Sequence, residues 1–387
     1  MIKFILSIFV VANLFATAQM ETSKTCKGCH PIIYNEFYDS AHRKGSIFED
    51  DIHKAIWDKH PDKQKNIYTC NECHTPSDTR ITDELAKHNS AMPQNDALQT
   101  QEAISCVYCH SIMDIEKHAT PYDKNILTTE PKMIFAANPD NRDGKIIYKE
   151  EKSFFGMFKK TSGSPFHNID FGNKGFYNGK MCMGCHAHFE NAHGQNVCLV
   201  DETGASNEES NCITCHMPKV KGSATTIAIT KTHAFHGFAG VRNKPEMLAK
   251  YLTFKMNKTQ KGFDIVIKNL ATHHLLMHPL RLGKLKVGVN NGTKTTALKT
   301  VPFFRTLGHD GKPAMSWVAT EVFEDTMLKA KEQRVISYDT QLNSGDTVEI
   351  EFGYFLVNPK MQKVLNLENS KEAKKYFVLK TQNFIVE

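Results

Sequence analysis

The sequence predicts an α+β chain in two parts: a mainly helical, loop-rich first part with little regular sheet, then an all-β, sandwich-like C-terminal part. Three observations carry that expectation. The pattern Cys-x-x-Cys-His occurs five times, always before residue 217. In the same stretch apolar residues recur at helical spacing, but only over short segments. Beyond about Pro245 cysteine is absent and apolar residues alternate with polar ones, the signature of strands with one buried face.

The five copies are Cys26-Lys27-Gly28-Cys29-His30, Cys70-Asn71-Glu72-Cys73-His74, Cys106-Val107-Tyr108-Cys109-His110, Cys182-Met183-Gly184-Cys185-His186 and Cys212-Ile213-Thr214-Cys215-His216. They take ten of the eleven cysteines. Two cysteines three apart can form thioethers with the two vinyl groups on one edge of a porphyrin, and the adjoining histidine then falls under the ring as proximal ligand to the iron. Disulfide pairs, zinc knuckles and redox CxxC sites do not explain why histidine follows the second cysteine every time. The copies are therefore read as attachment sites for five covalently bound c-type haems.

The N-terminus is expected to be a signal peptide, residues 1–18. Met1-Ile2-Lys3 is a short basic start, Phe4 to Phe15 is a mostly apolar run, and Ala16-Thr17-Ala18 is a small-x-small cleavage pattern. The run is shorter than the roughly 20 apolar residues of a membrane span. No cysteine stands where a lipoprotein signal needs one, and no later stretch is long and apolar enough to cross a membrane. Export to the periplasm agrees with haem c attachment. Cys198 is left over and reads as a small buried hydrophobe.

The formal charge of +6 drops by one when Lys3 leaves with the signal. Each ferric haem with neutral ligands contributes roughly −1 through its propionates, so five of them approximately cancel the excess. Neither nucleic acid nor a membrane surface is implied, and lysine-rich patches such as Lys59 to Lys65 read as solvated faces.

Residues 19–244 form the expected pentahaem region. The first cysteines of successive motifs are 44, 36, 76 and 30 residues apart. Such crowding leaves little room for a protein-only core, so the porphyrins themselves are expected to be the core, and folding is expected to depend on them. Pro31 suits a helix start, and Ile33, Tyr34, Phe37, Tyr38 and Ala41 continue at helical spacing towards His42. A second helix is expected after Thr82, leading through Leu85 and Ala86 to His88. The long third gap holds turn signals at Asn138-Pro139-Asp140, Asp143-Gly144 and Ser162-Gly163-Ser164-Pro165.

Residues 245–387 form the expected β part. Phe263, Ile265 and Ile267 alternate; so do Leu285, Val287 and Val289, and again Val348, Ile350, Phe352, Tyr354 and Leu356 after the turn Asn343-Ser344-Gly345-Asp346. Several such strands in about 140 residues suggest a β-sandwich. A helix around Glu246 to Leu252 is expected to join the two parts.

Nineteen histidines less the five proximal ones leave fourteen for at most five distal positions. A pair of axial imidazoles suits electron transfer; a methionine would raise the potential. Context favours His42, on the helix leaving the first motif, His167 in Ser164-Pro165-Phe166-His167, and His233 and His236 at the end of the haem region. His88 and His118 flank the third motif and His193 lies between the fourth and fifth. His274, at the head of the β part, is expected to reach back to a haem, most naturally that of Cys212 to His216.

These contexts resemble the multihaem c-type cytochromes, and within them the superfamily of the hydroxylamine-pathway tetrahaem cytochrome and the pentahaem ammonia-forming nitrite reductase. The matching residues are Ser40-Ala41-His42, Ser164 to His167, Cys212 to Pro218, His233 to Gly240, and Asn269 to Pro279, which looks like the first strand edge of a C-terminal β domain. The resemblance implies a periplasmic electron carrier, or a subunit handing electrons to a reductase, with a quinol-oxidising cytochrome or a terminal reductase as partner. One departure stands out: the pentahaem nitrite reductases usually hold the active-site haem through Cys-x-x-Cys-Lys, and all five motifs here end in histidine. Two functions follow: electron transfer with no catalytic residue, or reduction of a small nitrogen or sulfur compound at one open haem. A third is a docking role for the β part within a partner complex.

Overall fold

The structure, a computed structural model, describes residues 22–116, 124–128, 134–137, 144–153, 158–186, 189–198 and 210–387. The expected signal peptide, His118 and the side chain of Cys198 lie outside the described residues. Among the described residues no helix is long and apolar enough to cross a membrane.

Up to about residue 110 the chain is short helices joined by turns. Pro31–Tyr38 begins on its proline and ends earlier than expected, so His42 lies in the turn beyond it. Asp51–Lys59 is capped by Asp50, whose Oδ1 accepts from the backbone N–H groups of Ile52 and His53 at 3.0 and 3.1 Å. Thr79–Ala86 ends before His88, which sits at φ +61.

From Ile112 to Ala234 the expectation of little regular sheet is amended. Ile112–Glu116 pairs with Lys124–Leu127, Lys149–Ser153 with Phe158–Ser162, Phe189–Glu190 with Asn196–Cys198, and Lys219–Lys221 with Thr232–Ala234, all antiparallel. Ile134–Ala136 runs parallel to Asn168–Asp170, which also pairs with Lys145–Ile146. The strands are two to five residues long, too short for alternation to register. Gly144 and Gly163, at φ +77 and +78, occupy two of the turn signals.

Beyond Pro245 the architecture is antiparallel sheet. The expected joining helix is a 3₁₀ helix, Pro245–Tyr251. One sheet orders Leu252–Lys258, Phe263–Asn269 and Gln333–Tyr338; another is built on Leu282–Asn290, Thr347–Phe355 and Tyr376–Ile385, with Thr295–Ala297 and Val301–Phe303 on the Leu282–Asn290 strand. The alternating residues Phe263, Ile265, Ile267, Leu285, Val287, Val348, Ile350, Phe352 and Tyr354 of both sheets enter one core, each under 4% exposed. A third small sheet holds Arg305–His309 between Lys312–Pro313 and Glu321–Asp325.

That core is not closed by the strands alone. Ile52 and Ala55 of the Asp51–Lys59 helix belong to it. Buried Arg305 donates to the carbonyls of Val197 and Asn196, and Asn191 donates to those of Ser316 and Ala319. Arg242 pairs with Asp50 at 2.9 Å and with Glu372 at 3.2 Å.

Asn269 to Pro279 is a connection between strands rather than a strand edge. It is held by fully buried Asn269, whose Nδ2 donates to the carbonyls of His273 and Lys329, both at 2.9 Å, while Oδ1 accepts from the Ala271 N–H. This connection carries His273 and His278 towards the motifs.

Candidate haem centres

Each motif is built locally in the same way. The second to fifth lie wholly or largely on single helical turns: Asn71–His74, Cys106–His110, Met183–His186 and Cys212–His216. Ser105 caps the third through its Oγ, and Asn211 with Thr214 forms a capping box on the fifth. The first is a run of turns in which the His30 N–H donates to the Cys26 carbonyl at 2.8 Å. None of the ten motif cysteines is in a disulfide, so both sulfurs of every motif could form thioethers.

The motifs are gathered together. The side chain of Cys26 touches that of Cys106, Cys73 that of Cys185, and Cys182 that of Cys212. Cys109 is close enough to influence Cys182. The first motif therefore neighbours the third, the fourth neighbours the second and fifth, and the third lies beside the fourth.

Four motif histidines face a second imidazole. Ring centres are 6.5 Å apart for His30 and His167, 6.0 Å for His42 and His186, 6.1 Å for His110 and His236, and 6.1 Å for His216 and His273. Two imidazoles holding one metal ion between them, each at a metal–nitrogen distance of about 2.0 Å, would stand roughly 6 Å apart from ring centre to ring centre. The pairs fit that group.

Tautomers agree. A carbonyl only accepts, so a ring Nδ1 bonded to one carries the proton and leaves the Nε2 lone pair for a metal. Nδ1 of His30 meets the Ala224 carbonyl at 2.7 Å, His110 that of Ala136 at 2.6 Å, and His216 that of Ala239 at 2.6 Å. On the facing side, Nδ1 of His236 meets Ala234 at 2.7 Å, His273 meets the carbonyl of His274 at 2.9 Å, and His167 meets that of Asn168 at 3.1 Å. Nδ1 of His42 is buried without a partner, and Phe238 packs edge-on 4.0 Å from its ring. Burial holds His42 and His236 neutral, their pKa values pushed down to about 3; it lowers those of His110, His186, His216 and His273 as well.

His74 differs. Its ring neighbour is His53, only 3.9 Å away, too close to share an iron with it. His53 donates from Nδ1 to the Gly45 carbonyl at 2.9 Å, and its Nε2 lies 3.4 Å from the Tyr68 hydroxyl; Gly45 also supports His74. His53 thus stands beside His74, held by Gly45. His278 is near enough to repel a charge on His74, as are Arg281 and Arg242 to repel one on His278. Burial and these neighbours push the His278 pKa down to about 3. Its Nδ1 accepts from the Leu280 N–H at 3.2 Å, so its proton is on Nε2, the reverse of the ligand tautomer.

Other expected ligands have different surroundings. His233 is committed at both nitrogens, Nδ1 to the Gly222 carbonyl and Nε2 to Glu36, each at 3.0 Å. Glu36 also accepts from the His236 N–H at 2.9 Å, so His233 serves as a brace for its neighbour. His274 points towards Asp325 and Lys329 while the preceding His273 faces His216; a loop without period hides which of two adjacent histidines turns inward. His88 and His193 are exposed in turns, and among the described ring pairs neither faces a motif histidine. His53, His273 and His278 were not singled out; the Asn269 connection carrying two of them was.

No family model matches the sequence, and no curated protein matches it. Among solved structures the chain is similar to a penta-heme cytochrome c552 from Thermochromatium tepidum, with a TM-score of 0.70, 20% identity, and coverage of 95% of this chain and 99% of that one. The fold is thus that of a multihaem c-type cytochrome.

Proposed function

We propose that this chain holds five covalent c-type haems and passes electrons between redox proteins of a respiratory chain in the periplasm. Residues 1–18 are the signal, 19–244 the haem domain and 245–387 a sandwich-like β domain that contributes His273. When bound, the haems supply reversible one-electron chemistry. Backbone carbonyls fix six of the eight paired imidazoles, those of His30, His110, His216, His167, His236 and His273, in the ligand tautomer. The observation that carries the reading is the set of four imidazole pairs at about 6 Å. A quinol-oxidising cytochrome or a terminal reductase is the expected partner. The test is a haem count on the purified mature protein with paramagnetic resonance spectra. Five haems per chain, four low-spin with two imidazoles, is the expected result; fewer than five haems, or fewer than four such signals, overturns it.

A second reading rests on His74. With no imidazole opposite at ligand spacing among the described ring pairs, and with an Nε2–H donor on His278 and two arginines near it, the second motif suits a haem that takes a small nitrogen or sulfur oxyanion. His278 would donate a hydrogen bond to a bound oxygen and the arginines would offset its charge. Cyanide and nitrite titrations decide it: a high-spin signal that disappears on binding supports the reading, and no spectral change removes it.

A further inference from the structure

The loop 223–231 closes the hairpin of Lys219–Lys221 and Thr232–Ala234 and lies directly behind His30. It is rigidly built. The Ala224 carbonyl accepts a hydrogen bond from His30 Nδ1, the Thr226 N–H donates to the Cys29 carbonyl, and Ser223 Oγ donates to the Thr225 carbonyl and accepts from the Thr230 N–H. Yet its tip presents Ile227 and Ile229 at 68% and 77% exposure, and on the other side of the His30–His167 pair Phe166 is 72% exposed. Isoleucine on a pinned loop is poorly explained by the fold, which gains nothing from it.

Four exposed lysines stand around this surface. Lys24 and Lys27 flank the first motif, and Lys221 and Lys231 stand at the base of the loop, all exposed. Among the described carboxylates of this part, Glu36 is bonded to His233 and His236 and Glu102 to Ser23. An apolar centre with a rim of like charge is the anatomy of a transient protein interface, with the rim steering the encounter.

We propose that this surface docks a redox protein whose own contact face is acidic, in an interface of the small, transient kind. The inference rests on the electron-transfer reading above. A second copy of the chain would bring lysine against lysine. A membrane surface is matched less well, since the apolar tip is a few side chains on a rigid turn rather than an amphipathic helix.

The haem-loaded mature protein is tested against an acidic plant-type ferredoxin, with a basic single-haem cytochrome c as control, by thermophoresis at low and high salt. The expected result is binding of the ferredoxin that weakens with salt, and none of the cytochrome. Ile227→Ser with Ile229→Ser, and separately Lys221→Glu with Lys231→Glu, should each weaken ferredoxin binding about tenfold, with haem count and absorption spectra unchanged; the charge-reversed pair should gain affinity for the basic cytochrome. Absence of ferredoxin binding, or equal affinity in both variants, overturns the surface while a normal haem count leaves the electron-transfer reading standing. Loss of sedimentation with phosphatidylserine vesicles in the same variants, with ferredoxin binding intact, overturns it in favour of a lipid surface.

Discussion

The rings of His53 and His74 lie 3.9 Å apart; His53 Nδ1 donates to the Gly45 carbonyl, its Nε2 lies 3.4 Å from the Tyr68 hydroxyl, and His278 is near enough to His74 to repel a charge on it. His53→Ala is expected to leave the number of low-spin haem signals unchanged. His278→Ala should also leave it unchanged, but weaken nitrite or cyanide binding at least tenfold, measured by optical titration. A low-spin signal lost in either variant would make that histidine a ligand.

His273 and His274 are adjacent and separable. His273→Ala should convert one low-spin haem to high-spin, and His273→Met should raise one reduction potential in a spectroelectrochemical titration. His274→Ala should do neither. Asn269→Ala, which releases the connection carrying His273, should broaden the same signal without abolishing it.

Asp50 has two duties, capping the Asp51–Lys59 helix and pairing with Arg242. Asp50→Ala should cost about 2 kcal/mol, read as a lower urea midpoint. Asp50→Asn keeps an acceptor for the cap and should cost about half as much. Equal losses would show that the pair, not the cap, carries the effect.

Burial lowers the His53 pKa from 6.5 to about 4. Between those values the unfolded chain takes up a proton that the folded chain refuses, so stability falls as pH drops from about 6.5 towards 4 and is insensitive to this group above that window. The full change approaches about 3 kcal/mol. His53→Leu should flatten this part of the urea-midpoint profile; an unaltered slope would mean that other groups set it.

The cofactor motifs and the long strands were legible because both are local: five residues fix a CxxCH site, and Val348 to Leu356 announce their own period. His42, His167 and His236 stood out by context, and the structure sets each opposite a motif histidine. His233 is bonded to Glu36, 197 residues away, a relationship that no local pattern announces. His273 against His274 turned on how buried Asn269 folds the following loop, and nothing in residue type distinguishes the two. The short hairpins between Ile112 and Ala234 escaped notice because three or four residues cannot display a period of two.

The carbonyls that orient His30, His110 and His216 come from residues 194, 26 and 23 positions further along the chain. The first motif stands nearest the N-terminus, yet its histidine is completed only by residues that follow much later, with His167 facing its ring and Ala224 at its Nδ1. A chain ending before residue 224 would hold Cys26 and Cys29 without the carbonyl that fixes the His30 tautomer.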